Sequence, residues 1–121
     1  MKNSYKQAAT LTANRFVCFV SGTANTVNYP STTAEMPAGI TMDSPKDADP
    51  AIPVAGVGEI YRVTFNDTVT SGKLVSADTS GKAVPYTNTV TAWAYGVLIG
   101  PSVAETGTTA EVLFRPGTFS G

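Results

Sequence analysis

The stretch Glu59-Ile60-Tyr61-Arg62-Val63-Thr64-Phe65 alternates along its length: Glu59, Tyr61, Val63 and Phe65 fall on one face, and Ile60, Arg62 and Thr64 on the other. Successive side chains of a β-strand point to opposite faces, so this period of two predicts a strand with one apolar side. Asn66-Asp67-Thr68 then turns the chain, because Asn and Asp side chains bond their own backbone in turns.

Working outward, the same kind of run recurs. Before it stand Arg15-Phe16-Val17-Cys18-Phe19-Val20, Thr26-Val27-Asn28-Tyr29 and Ala38-Gly39-Ile40-Thr41-Met42. After it come Lys73-Leu74-Val75-Ser76, Lys82-Ala83-Val84-Pro85-Tyr86, Trp93-Ala94-Tyr95-Gly96-Val97-Leu98-Ile99 and Thr109-Ala110-Glu111-Val112-Leu113-Phe114-Arg115. Gly, Pro, Asn and Asp punctuate the intervals. Many short strands at near-regular spacing predict a sandwich or barrel. Two weak helical spots, 32–36 and 45–48, each suit a single turn. Asp49-Pro50-Ala51-Ile52-Pro53 reads as a Pro-rich connection, and Met1 to Thr10 as an arm without core residues.

An internal echo runs through these strands. Arg15-Phe16-Val17 matches Lys73-Leu74-Val75, 58 residues on (73 − 15). Val27-x-Tyr29 matches Val84-x-Tyr86, and Gly39-Ile40 matches Gly96-Val97, both at 57; Glu59-Ile60 is echoed by Glu111-Val112 at 52. One reading is a pair of similar β-units in one barrel-like core. The other is chance likeness, since each short apolar strand carries little information.

Composition narrows the class. The 121 residues suit one domain, and a chain of this size buries roughly two-thirds of the surface its unfolded form exposes. Charged residues make up 14%, well below the roughly 25% of an average soluble domain. Net charge is −1 and no Lys/Arg run appears, so the electrostatic footprint of a nucleic-acid binder is missing. No apolar stretch is long enough to span a bilayer as a helix. The basic start, Met1 to Gln7, is not followed by a continuous apolar segment, so a secretory signal is not expected. The single Cys18 has no partner for an intramolecular disulfide, which suits a reducing cytoplasm.

The search for chemistry excludes more than it finds. With no His, the usual general base near neutral pH and the commonest metal ligand are absent. Cys18 sits in an apolar run, where thiols are inert packing residues. Gly56-Val57-Gly58 lacks the third Gly of the dinucleotide fingerprint, since Tyr61 occupies its place. Gly72-Lys73 and Gly81-Lys82 fail the phosphate-loop pattern on both sides. Asp43, Asp47 and Asp49 share a loop without calcium-loop spacing or its Gly, and read as turn-forming residues. We therefore expect no catalytic residue, no metal and no cofactor. Tyr5 and Phe119 are terminal aromatics outside any predicted strand. Either tail is simply frayed, or it carries an anchor for a partner surface. Tyr5, Lys6, Gln7, Arg115 and Phe119 are the interface candidates.

Read in order, several phrases resemble the small capsid-decoration (head cement) proteins of tailed bacteriophages. They are Leu11 to Val17, Gly39-Ile40-Thr41-Met42, Val54 to Val63, Thr70 to Pro85, Tyr95-Gly96-Val97-Leu98 and Glu111-Val112-Leu113-Phe114. The most specific is the run Gly72-Lys73-Leu74-Val75-Ser76-Ala77-Asp78-Thr79-Ser80-Gly81-Lys82-Ala83-Val84. The resemblance spans about Leu11 to Phe114; the longer Pro-rich segment Asp43 to Pro53 departs from it.

What it implies is an all-β fold, a compact β-barrel/β-sandwich (tulip-like) of short antiparallel strands with a flexible N-terminal arm (1–10) and a single β domain (11–121). It further implies a homotrimer on the outer face of the head, made in the host cytoplasm, that binds the major capsid protein and stabilises the shell against packaged DNA. The arm would pair with a capsid-protein strand. Neither nucleic acid nor membrane is an expected partner. The alternative is a β-sandwich adhesion or carbohydrate-binding module on a virion fibre or bacterial surface, which an exposed Trp93–Tyr95 groove would favour.

Overall fold

The computed structural model describes residues 2–7, 11–20, 22–30, 35–42, 51–86 and 93–118. Ten strands follow one another: β1 (Lys2–Gln7), β2 (Phe16–Phe19), β3 (Thr26–Asn28), β4 (Pro37–Thr41), β5 (Ala51–Ala55), β6 (Ile60–Thr64), β7 (Leu74–Ala77), β8 (Ala83–Pro85), β9 (Trp93–Leu98) and β10 (Thr109–Thr118). The first five close into a barrel in the order β1-β3-β2-β4-β5, and the last five form a sheet in the order β6-β10-β9-β7-β8. The fold is all-β, as the alternating runs predict. Among the described residues pairing is antiparallel except between β1 and β3, which run parallel, and at one parallel bridge, Phe65 to Ala83.

The two halves share one wiring, and their registers superpose. In the first half, β1 meets β5 with Lys2 opposite Ala55 and Lys6 opposite Ala51. In the second, β6 meets β10 with Ile60 opposite Leu113 and Thr64 opposite Thr109, 58 residues on in both strands. Phe16 opposite Ile40 and Val17 opposite Gly39 return as Leu74 opposite Val97 and Val75 opposite Gly96. The β1–β3 closure, Gln7 with Val27, returns as the Phe65–Ala83 bridge. The echo is thus a structural repeat, with two corrections. The β3–β8 offset is 56, so Val27 corresponds to Ala83 rather than Val84. The echo at 52 equates nothing, because Glu59-Ile60 and Glu111-Val112 belong to antiparallel neighbours within one sheet.

The repeat explains two glycines. A Cβ on Gly39 would fall on the Ala55 carbonyl oxygen and Val54 Cγ1; one on Gly96 would fall on the Leu113 carbonyl oxygen and crowd Val112 Cγ1. At both positions a strand crosses too closely for any side chain.

Two strands lie where the sequence predicts none. Residues 2–7, read as an arm, are β1: they fill the gap between β3 and β5 and close the barrel, so strand addition happens within the chain. The Pro-rich connection contributes β5. Pro53 is tolerated because its carbonyl accepts from the Met42 amide (3.1 Å). Backbone N–H and C=O of one strand residue point to the same side, so the missing donor falls at the far end of β4. The proposed helical turn at 45–48 lies outside the described residues, as does most of 32–36; Glu35 and Met36 are not helical.

Two cores result. Inside the barrel lie Leu11, Val17, Val27, Ala38, Ile52 and Val54. A larger core joins Phe16, Cys18, Ile40 and Ala55 of the first half to Val63, Phe65, Val75, Tyr95, Leu98, Val112 and Phe114 of the second. Alternate residues of β2 therefore serve different cores, which is why its sequence reads as an unbroken apolar run rather than an alternation. At the junction the Phe16 ring lies 4.9 Å from Tyr95 and 6.4 Å from Phe114, centroid to centroid. The Thr64 amide donates to the Asn14 carbonyl (2.9 Å), the Phe16 amide to the Gly81 carbonyl (2.7 Å), and the Tyr61 hydroxyl to the Met42 carbonyl (2.9 Å).

Candidate interaction surface

The residues with chemical potential are mostly committed to structure. Cys18 and Tyr95 face each other across the junction, thiol and hydroxyl 2.7 Å apart. Burial pushes the Cys18 thiol up from 9.0 to about 12, against a smaller lowering from the Tyr95 hydrogen bond, and the Glu35 charge adds to the rise. Burial raises the Tyr95 phenol too, ahead of contributions from Cys18 and Glu35. A thiolate is disfavoured near neutral pH, so Cys18 is a packing residue rather than a nucleophile.

Among the interface candidates, Tyr5, Lys6 and Gln7 lie together on β1. The half-buried Tyr5 packs edge-to-face on Phe19, with ring centroids 5.4 Å apart. Gln7 Oε1 accepts from the Leu11 amide (3.1 Å). Lys6 is exposed, while its amide donates to the Asn25 carbonyl (2.7 Å). Arg115 is exposed in the other sheet, at a bulge of β10 between Phe114 and Gly117. Phe119 lies outside the described residues, as do Asp43, Asp47 and Asp49. Among the described residues no group of three or more His, Cys, Asp or Glu converges as a metal site.

The aromatic pair that a glycan groove would require is split. Tyr95 is buried, and Trp93 is half-buried against the larger core. A cleft of about 460 Å³ opens on the second half, lined by Thr68, Val69, Thr70, Gly72, Lys73, Leu74, Pro85 and Tyr86. Among the described residues that line it, Lys73 is the one charged group.

Sequence reading missed the apolar outer face of the second sheet. Ile60 is 51% exposed and Ile99 44%, with Val97 and Leu113 half-buried between them. Alternation assigned Ile60 correctly to the face away from the core; it carries no signal that Val97 and Leu113 line up beside it.

These features define a class: an all-β domain built from two five-stranded units of identical wiring, with an apolar outer face on the second. No family model matches the chain, and no curated protein does. Among solved structures it is similar to the head fiber gp8.5 N base of bacteriophage phi29, with a TM-score of 0.67 over 95% of this chain and 93% of that one, at 13% identity. At that identity the likeness is one of fold.

Proposed function

We propose that this chain is a structural protein of a tailed-phage virion, specifically a homotrimeric decoration (cement) protein that binds the major capsid protein on the outside of the head. The observation that carries the reading is the likeness, over nearly the full length of both chains, to the base of a phage head fiber. That neighbour is, by its name, part of a phage head fiber, and a cement protein is likewise a structural component of the head. The order of family-like phrases in the sequence supports the finer assignment. Repeated weak contacts across a symmetric lattice supply binding strength by avidity, so no single deep site is needed.

With residues 2–7 committed to β1, donation of an N-terminal strand to a capsid-protein edge is not part of this proposal; contact is made by the folded surface. The adhesion or glycan-binding alternative loses its main support, because Tyr95 is buried and unavailable for stacking on a sugar. Co-sedimentation with heads of the phage that encodes the chain tests the reading. Saturable binding at a fixed number of copies per head is expected. Protein that stays in the supernatant at every concentration would refute it.

A further inference from the structure

In the first half, the cross-strand row Phe16, Ile40 and Ala55 is buried against the second half of the chain. Its register equivalents are Leu74, Val97 and Leu113, and the row continues to Ile60, which corresponds to Lys2. Residues directly opposite one another on paired strands present their side chains on one face. Leu74, Val97, Leu113 and Ile60 therefore make an apolar stripe across four strands, and Ile99 extends it. These side chains are half-buried or exposed. The row that the fold covers in one repeat is left open in the other.

A cleft tells the same story. The Ser80–Gly81 hairpin tip of the second half sits against β2 of the first half. A Cβ on Gly81 would lie 2.5 Å from the Phe16 carbonyl oxygen, 2.9 Å from Tyr29 Cδ1 and 3.1 Å from Arg15 Cβ. Arg15 Nη1 donates to the Ser80 carbonyl (3.1 Å). The equivalents of Arg15, Phe16 and Tyr29 are Lys73, Leu74 and Pro85, and all three line the 460 Å³ cleft. The equivalent of the tip is the turn 22–25, which is exposed; Asn25 there has φ +52°, as Gly81 has +77°.

The remaining exposed large apolar side chains among the described residues are Met36 (59%) and Val57 (73%), both in the first half. Met36 corresponds to Trp93. Val57 follows Gly56, the equivalent of Phe114. Tyr95 and Phe114 form the surface on which Phe16 packs; their first-half counterparts, Ala38 and Gly56, are buried, Ala38 in the barrel core, so what the first half offers outward there is the exposed pair Met36 and Val57.

We propose that the second half of one copy docks head to tail on the first half of a second copy. The Leu74–Val97–Leu113–Ile60 stripe covers the Met36 and Val57 surface, and the 22–25 turn enters the cleft beside Lys73 and Leu74. This deepens the homotrimer part of the proposed function and rests on that part alone. The Asn25 carbonyl already accepts from the Lys6 amide, so the backbone bond made by Gly81 is not repeated and the contact is carried by side chains. A head-to-tail contact closes into a ring when its rotation permits, and each copy then spends both surfaces.

Light-scattering mass after size exclusion tests this with Ile60→Glu and Met36→Asp, both at exposed positions. The wild type is expected as a closed oligomer, and each variant as a folded monomer that keeps the β-sheet circular dichroism of the wild type, with a melting temperature lowered only by the lost association. An equimolar mixture of the two is expected to give a one-to-one dimer, since one intact stripe meets one intact acceptor and the ring cannot close. A monomeric wild type, or variants that keep the wild-type mass, would overturn the proposal. Independently of those variants, Asn25→Cys mixed with Lys73→Cys is expected to cross-link under oxidation, with neither cross-linking to itself; the reverse pattern contradicts a head-to-tail contact. Head binding is read separately by co-sedimentation, so failure of the capsid reading and failure of this contact give different results.

Discussion

The Cys18 thiol and the Tyr95 hydroxyl meet 2.7 Å apart in the junction between the two halves, one from β2 of the barrel and one from β9 of the second sheet. This buried polar pair lies beside the Phe16–Tyr95 ring contact. Tyr95→Phe keeps the ring and deletes the hydroxyl, so it is expected to cost about 1 kcal/mol, the usual net value of one hydrogen bond. Tyr95→Ala removes the ring as well and is expected to cost about 3–5 kcal/mol. Urea unfolding of the two variants separates the bond from the packing.

The same pair makes stability sensitive to alkali. Between about pH 9 and about pH 12 the unfolded thiol ionises while the folded one stays protonated. The unfolded state then binds fewer protons, so stability falls as pH rises through that window and is fully present below it. The raised Tyr95 phenol acts in the same direction. Urea midpoints measured across that range are expected to drop for the wild type and to drop less steeply for Cys18→Ala. Equal slopes for both proteins would remove Cys18 from the account.

Gly39 and Gly96 are expected to behave as one position. An added methyl at either meets a strand carbonyl, Ala55 or Leu113. Gly39→Ala and Gly96→Ala should each cost about 3 kcal/mol, since relief requires moving a paired backbone. Gly22 gives the contrast: nothing lies within 4 Å of an added Cβ, and only its φ of +82° opposes the change. Gly22→Ala is expected to cost about 1 kcal/mol. Thermal melts of the three variants decide it.

Deleting residues 1–7 is expected to unfold or aggregate the protein rather than trim a tail. Without β1, the edges of β3 and β5 are exposed and the barrel opens. Soluble expression with an unchanged melting temperature would restore the arm reading of this segment.

Asp78 holds the hairpin tip that sits on β2. Its Oδ1 accepts from the Ser80 and Lys82 amides, each at 2.9 Å, and its Oδ2 from Asn66 Nδ2 at 2.9 Å. Asp78→Ala is expected to cost about 1–2 kcal/mol and to raise amide exchange at Phe16, whose N–H bonds Gly81. Normal protection of Phe16 in that variant would show that the tip does not depend on Asp78.

What could be read in the sequence followed from local pattern. β6 alternates because one of its faces packs inward, and Val63 and Phe65 are fully buried as that pattern predicts. β1 was illegible because its barrel neighbours lie some 20 and 50 positions away in the chain, and Lys2 to Gln7 offers a single aromatic, Tyr5, as its inward anchor. β5 was hidden by Pro53, whose missing N–H matters only if a partner strand extends past it. Tyr5 reads as either part of a frayed tail or a free anchor because nothing local announces Phe19 as its partner. The outer stripe needed the repeat: once Phe16 is matched to Leu74, a buried position in one half points to an open one in the other.

If this domain reinforces a phage head, the temperature at which heated heads release their DNA depends on it. Heads lacking the protein should lose DNA at a lower temperature than the same heads saturated with it, and adding purified protein should restore the higher value. Release temperatures that are the same with and without bound protein would contradict the account.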